Sequence, residues 1–566
     1  MILILISWVY IFFTSIIFGI ASCNVLRISK FELVTTTFIG LFSITVLASV
    51  WAFFNPISVG FHIILVFFTL LFWYKNKTLL ITILTSTHKE IKSFVAPFKL
   101  LFLGFSLLVL AQSATLPFIY DNETYYVQTI KWLNEYGFVP GLANLHLFLG
   151  QTSGWHITQS VYSFSFFYDR FNDLNGFCLL LVNYFAFQKL HSYFLKGNTM
   201  DLIFGLVPLT YSFLFQFVSA PSPDFAVCLL AFLVFSLFLD EDVVKSKTTF
   251  SIITLLALFA FYCKVTAVVL LLFPVIFALK HFQYLKKRIV LLLGLSCFVL
   301  VLFVIKNCWL TGYPFFPLLT ARMDVLEYSV PPEIMNFFFS KGMMNSFYIS
   351  NKAYGGATVL EIVKQYFLYN GLSSLIGIFS VLTLFIIPIV IIKKQLPKSL
   401  WTIYTVFIIL ILLLTLSSPQ YRFYVYFTLF FLQLMLSLWI TNQKWIFRLY
   451  TLSLILVIIL VTVPLSYKSL TDNDWLTKNC TLHWRNIFIP EPNSKWVGDF
   501  KKTSIGNMPY YSPKDNSNFW LTSNGNLPCV NSVQLEYFQK GFSFIPQQRS
   551  TDVIDGFFSQ KVSNYE

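Results

Sequence analysis

The stretch Ile289-Val290-Leu291-Leu292-Leu293-Gly294-Leu295-Ser296-Cys297-Phe298-Val299-Leu300-Val301-Leu302-Phe303-Val304-Ile305 carries no charge, and it lies between Lys286-Lys287-Arg288 and Lys306. A bilayer core of about 30 Å needs roughly 20 apolar helical residues to cross it. This run, extended to residue 310, has that length and lacks the alternation that a barrel strand needs. It therefore reads as a membrane-spanning helix. Similar stretches occur near 2–22, 33–54, 58–74, 98–118, 174–194, 202–219, 223–239, 249–263, 265–280, 372–392, 400–417, 421–440 and 447–466. Together they predict an all-α polytopic membrane protein of about 14 transmembrane helices. Composition agrees. Of the 566 residues, 57% are apolar and 11% charged, against roughly 25% charged in an average soluble domain. Mean hydropathy is +0.72, which excludes a disordered chain and a cytosolic enzyme.

The formal charge of +14 is a topology signal. With the N-terminus placed outside, the loops facing the cytoplasm hold 20 of the 39 Lys and Arg residues, among them Arg27, Lys30, Lys75, Lys77, Lys245 and the 286–288 cluster. Their six acids are Glu32, Glu90, Asp201, Asp240, Glu241 and Asp242, so these loops alone carry the whole net charge. The short connections on the other side, near 55–58, 219–223 and 416–420, have no Lys or Arg. This is the positive-inside pattern, and it removes nucleic acid from the expected partners. The first apolar stretch has no basic region before it, so it reads as a retained span rather than a cleaved signal. The expected location is a bacterial inner (cytoplasmic) membrane, with both termini extracytoplasmic.

That orientation places every long polar segment outside. The division is a multi-pass transmembrane domain over 1–467, with outer loops 119–173 and 311–371, and an extracytoplasmic C-terminal region over 468–566. The latter is rich in Asn, Ser, Pro, Lys and Trp and reads as turns and short strands. Its two cysteines, Cys480 and Cys529, are a disulfide candidate in an exported segment, the alternative being two free thiols. No P-loop, Gly-rich nucleotide fingerprint, nucleophile elbow or metal-ligand spacing is present, so chemistry driven by cytoplasmic ATP is not expected.

Candidate chemistry begins at Tyr120-Asp121-Asn122-Glu123-Thr124-Tyr125-Tyr126, directly after an apolar span. In an extended or turn conformation Asp121 and Glu123 share a side and could face one pocket, as a base with its helper or as ligands of a divalent cation (Mg or Mn). On a helix they diverge, and the alternative is a solvated pair in which Asp121 caps the helix and Glu123 sits in its first turn. The following residues, with Gln128, Lys131 and Trp132, read as an amphipathic helix lying on the outer surface and ending at Gly137. Gln128, His146 and His156 are polar groups placed to meet a substrate, though a histidine beside a membrane is more often structural. Lys264, Lys306 and Arg422 all fall at outer span ends, the depth of a lipid-linked phosphate, for which Arg has a matching fork. Snorkelling to headgroups is the alternative. Asp224, in Ser222-Pro223-Asp224-Phe225, fits a helix-start cap as well as a substrate site.

An acidic Asp-x-Glu loop, flat helices behind it, a Ser-Pro-x-Asp turn, an outer Arg near the late helices and an exported tail together resemble the C-type (GT-C-like) glycosyltransferase superfamily. The stretch Tyr120–Gly150, Thr311-Gly312-Tyr313-Pro314 and Leu527-Pro528-Cys529 resemble an uncharacterised bacterial multi-pass membrane family more closely. The superfamily resemblance implies sugar transfer from a polyprenyl-phosphate donor to a cell-surface glycan, lipid or protein acceptor on the extracytoplasmic face. It implies Asp121 as the base, Glu123 as helper or metal ligand, and Arg422 with Lys264 or Lys306 as the phosphate clamp. Two departures stand out: the acidic motif follows the fourth span rather than the first, and it reads Asp-Asn-Glu rather than Asp-x-Asp. The competing readings are a surface-polysaccharide polymerase or ligase, a transporter or flippase for a lipid-linked substrate, and a non-enzymatic scaffold.

Overall fold

The computed structural model describes residues 1–240, 246–346, 358–368, 371–466 and 478–562. Glu241, Asp242 and Lys245, the middle of 311–371 and the boundary at 467–468 lie outside the described residues. Helices in chain order are α1 Ile2–Val25, α2 Leu33–Trp51, α3 Val59–Ser93, α4 Ala96–Ser113, α5 Val127–Glu135, α6 Gly154–Val161, α7 Leu174–Lys196, α8 Thr199–Gly205, α9 Tyr211–Leu214, α10 Pro223–Leu239, α11 Lys247–Cys263, α12 Leu272–Lys280, α13 Phe282–Thr311, α14 Pro332–Ser346, α15 Val359–Leu368, α16 Gly371–Lys393, α17 Ser399–Thr415, α18 Val425–Trp439, α19 Gln443–Thr462 and α20 Ser532–Phe542.

Eight of the fourteen expected crossings are helical segments of at least 18 residues, apolar enough to cross a membrane: α1, α2, α3, α4, Thr199–Phe217, α13, Ser374–Lys393 and α19. Five more are shorter apolar helices: α10, α11, Val265–Lys280, α17 and α18. The remaining stretch, α7, falls in neither group and carries Asn175, Asn183 and Gln188. Two of these segments are wound irregularly. Thr199–Phe217 alternates α8, a 3₁₀ turn at Val207–Thr210, α9 and a second 3₁₀ turn at Phe215–Phe217, while Val265–Leu271 is 3₁₀ before α12.

Packing separates core helices from lipid-facing ones. Nearly every residue of α10 and α11 is buried. By contrast α3, α13 and α19 expose Ile63, Phe67, Leu293, Val301, Leu452 and Ile455. Helices that are apolar on their outward faces as well as inward belong among lipid. Within the bundle α1 and α2 touch backbone to backbone. A Cβ at Gly40 would overlap the carbonyl of Ser15, and one at Gly19 that of Thr36. Small residues at a helix crossing permit this approach.

The C-terminal region consists of two antiparallel hairpins, β1 Phe500–Ile505 with β2 Met508–Pro513 and β3 Phe544–Gln548 with β4 Phe557–Lys561, with α20 between them. It is docked onto the loop between α4 and α7. The Phe557 amide donates to the Pro140 carbonyl at 3.0 Å, and the Thr522 and Ser523 amides to the Glu123 carbonyl at 3.1 and 2.7 Å. At Gly141 the chain turns with φ +62°, and a Cβ there would overlap the carbonyl of Phe557, so the docking needs glycine.

Three expectations are corrected. The helix after Asp121 ends before Gly137 as expected but does not lie on an open surface: Trp132 is 1% exposed and packs against Phe557. The hydrophobic pattern of that helix could not announce the segment, more than 400 residues later, that covers it. Cys480 and Cys529 are free thiols. Cys480 points to the Pro117 carbonyl and Cys529 to that of Thr522, so each is held by different neighbours. Asp121 is not a cap, because its side chain makes no hydrogen bond to the helix start.

Candidate functional site

Four charged side chains from four separate parts of the chain meet at the end of the bundle covered by the loop and tail. Asp121 follows α4, Asp224 stands at the second position of α10, Lys264 joins α11 to the 3₁₀ turn, and Arg422 lies in the short turn Tyr421–Phe423 between α17 and α18. Arg422 Nη1 pairs with Asp121 Oδ2, and Lys264 Nζ pairs with Asp224 Oδ1. The Arg422 Nε stands 3.8 Å from Asp224 Oδ2, so the order is Asp121, Arg422, Asp224, Lys264, with charge alternating along it.

Local structure sets each position. Asp224 sits in the first turn of α10, behind Pro223, where the helix dipole favours a carboxylate. Its side chain is 4% exposed and would be costly unpaired; the two cations answer that cost. Lys264 is in extended conformation, which ends α11 and turns the side chain toward α10. The Lys264 ammonium lies 4.0 Å from the centroid of Phe423. Arg422 is fixed by Gln420, whose Oε1 accepts from Nε at 2.8 Å. Its turn is tied down by the Tyr366 hydroxyl, which donates to the Pro419 carbonyl at 2.9 Å. The second terminal nitrogen of Arg422 makes no hydrogen bond among the described residues. Arg422, Lys264 and Asp121 keep partial exposure, 27, 21 and 16% of their side chains, so the cluster is reachable from one side. Burial draws the Lys264 ammonium down to about 8, against the opposing pull of Asp224.

Asp121 and Glu123 part company. Residues 122–126 form a π-helical turn continuous with α5, and residues two apart on a helix point about 200° from each other. Asp121 faces Arg422, and the Tyr126 hydroxyl donates to it at 3.4 Å. Glu123, 2% exposed, faces the tail. Its carboxylate accepts from Asn122 Nδ2, the Ser494 and Ser523 hydroxyls and the Lys495 and Trp496 amides. It is a docking pin, not a helper to Asp121, because every lone pair is taken. Among the described residues no group of three His, Cys, Asp or Glu side chains is placed to hold a metal ion, and Asp121 with Glu123 does not form the pair considered for a cation.

The other expected site residues make their contacts outside the charged cluster. Lys306 donates to the Thr152 carbonyl and to Asn307 Oδ1, each at 2.7 Å, and touches neither carboxylate of the cluster. Gln128 donates to the carbonyls of Ser523 and Gly525, another tail contact. His146 meets the Trp520 carbonyl at 3.3 Å. His156 completes a capping box with Ser153 through Nδ1 and leaves Nε2 without a partner. It packs on Tyr126 with ring centroids 4.8 Å apart. Burial pulls it down to about 3, helped by Lys264 and Lys306, so it stays neutral. The sequence reading did not assign roles to Tyr126, Gln420 and Phe423. Gln420 and Phe423 flank the candidate Arg422 in Gln420-Tyr421-Arg422-Phe423, and that proximity is the signal that could have found them.

Residues 1–429 match the family model described as "Domain of unknown function (DUF8201)", and the chain belongs to that family. No curated protein and no solved structure matches it. The matched residues contain all four members of the charged cluster, while the C-terminal region docked on the loop lies beyond.

Proposed function

We propose that the protein is a membrane glycosyltransferase that takes a sugar from a polyprenyl-phosphate donor at the extracytoplasmic face and passes it to a cell-surface acceptor. The observation that carries this reading is the convergence of Asp121, Arg422, Asp224 and Lys264 at the loop-covered end of an apolar bundle. The basic residues of the positive-inside count gather at the opposite end, where Arg288 donates to the carbonyls of Leu26 and Arg27. This supports an outer position for the cluster.

In the reaction, the lipid-linked phosphate approaches the free terminal nitrogen of Arg422 and the Lys264 ammonium. Asp121 accepts the proton of the acceptor hydroxyl, whose oxygen bonds to the anomeric carbon. The bond from that carbon to the phosphate oxygen breaks with inversion, and its electron pair leaves on a phosphate stabilised by the two cations. Asp224 holds both cations in place, a positioning role. Glu123 has no part in this chemistry.

In vesicles supplied with polyprenyl-phosphate sugars, Asp121→Asn is expected to lower transfer by about 10²–10⁴-fold, the range spanned by loss of a general base, with membrane insertion unchanged. Full transfer in that variant would remove Asp121 from the mechanism. A transporter for a lipid-linked substrate is the second reading. It is favoured by the irregular winding of Thr199–Phe217 and Val265–Leu271, since broken helices flank many transport sites and 3₁₀ runs beyond three or four residues are uncommon. Movement of the labelled donor lipid between leaflets without transfer of its sugar would favour that reading.

A further inference from the structure

Beside Asp121 the covered end carries a group of side chains that the chemistry above does not use. Tyr125 stacks on Phe148 with centroids 5.1 Å apart and planes at 15°. Phe148 meets Trp520 of the tail at 4.8 Å, and both are partly exposed. Tyr120, the chain neighbour of Asp121, donates its hydroxyl to Asn518 Oδ1 at 2.6 Å. That oxygen also accepts the Trp520 amide at 3.1 Å. The Nδ2 of Asn518, a residue 4% exposed, makes no hydrogen bond, and neither does Nδ1 of His146, 1% exposed.

A buried amide donor without a partner costs about 1–3 kcal/mol, so the pair of unused groups asks for an occupant. Since His146 uses Nε2 toward a carbonyl, Nδ1 is an acceptor. One donor and one acceptor set among aromatic faces match a pyranose, whose hydroxyls do both and whose C–H faces lie on rings. A lipid chain would leave both polar groups unsatisfied.

We infer that Trp520, Phe148, Asn518 and His146 form a carbohydrate subsite that receives the acceptor sugar beside Asp121. The inference rests on the proposed transfer reaction and narrows its acceptor to a glycan. Asn518 and Trp520 lie outside the residues shared with the family, 1–429, so acceptor choice is set by the tail while the charged cluster sits within the shared part.

The test uses the full chain in nanodiscs with Asp121→Asn, so that binding is read without turnover, on a printed array of defined oligosaccharides. Binding is expected, and Trp520→Ala and Asn518→Asp are each expected to weaken it by about tenfold, the loss typical of one anchoring contact. Asn518→Asp keeps the oxygen that accepts from Tyr120 and replaces the unused donor with a carboxylate oxygen, which also adds a negative charge, and its unfolding temperature controls for folding. Binding of no oligosaccharide, or undiminished binding by a folded Asn518→Asp chain, would overturn the subsite. Failure of the transferase reading shows separately, as no sugar transfer by the unaltered chain in vesicles supplied with polyprenyl-phosphate sugars.

Discussion

The two ends of the helix bundle use charge in opposite ways. At the basic end Lys30 pairs with Glu32 at 2.7 Å while both side chains stay about two-fifths exposed, 43 and 40%. A surface pair of this kind contributes about 0–1 kcal/mol, so the Lys and Arg there add little stability through contacts. At the covered end Asp224 is almost wholly buried, and the cations beside it keep only a narrow exposed face. Charges so placed are expensive alone and persist because each has an opposite neighbour. Charge is therefore plentiful and exposed at one end, and sparse, buried and paired at the other.

The largest break in this contrast is expected from Arg422→Met, which leaves Asp121 and Asp224 facing each other without the cation between them. Removing one partner of a buried pair costs about 3–5 kcal/mol. Thermal unfolding in detergent should fall accordingly, and transfer should be lost; Arg422→Lys, which keeps charge without the fork, should recover part of the stability. Glu123→Ala is expected next. It releases five donors, and hydrogen bonds to a charged group contribute about 1.5–3 kcal/mol each without adding fully. Limited proteolysis should then cut the 478–562 region free of the bundle while the helices resist; unchanged protection would show that Glu123 does not pin the tail.

A pH profile sharpens the comparison further. Lys264 titrates near 10.4 in an unfolded chain and near 8 when buried beside Asp224. Between those values the unfolded chain holds the extra proton, so the stability contributed by this group rises with pH. The ammonium proposed to meet phosphate is lost over the same window. Transfer should decline above about pH 8 while the unfolding temperature does not fall with it, and Lys264→Arg should flatten the decline in a pH–rate measurement. The smallest effect belongs to the basic end, where Lys30→Ala should change stability by no more than about 0.5 kcal/mol and leave transfer as it was. A large loss there would blur the distinction between the ends.

The apolar helices were legible in the chain because an apolar run of given length has few other uses, and the clusters of Lys and Arg marked one end of the bundle. Asp121, Asp224, Lys264 and Arg422 were legible as candidates for a related reason, that ionisable groups at span ends are rare. What the chain by itself did not decide was company. Lys306 looked like Lys264, yet backbone carbonyls hold it. Glu123 looked like a partner for Asp121, yet a π-helical turn sends it toward the tail. Cys480 and Cys529 looked like a bridge, yet each is held elsewhere. Period and hydropathy report whether a residue faces apolar surroundings, within a window of about a dozen positions. Which side chains touch across hundreds of residues depends on how helices and tail pack, and only the tertiary structure contains that.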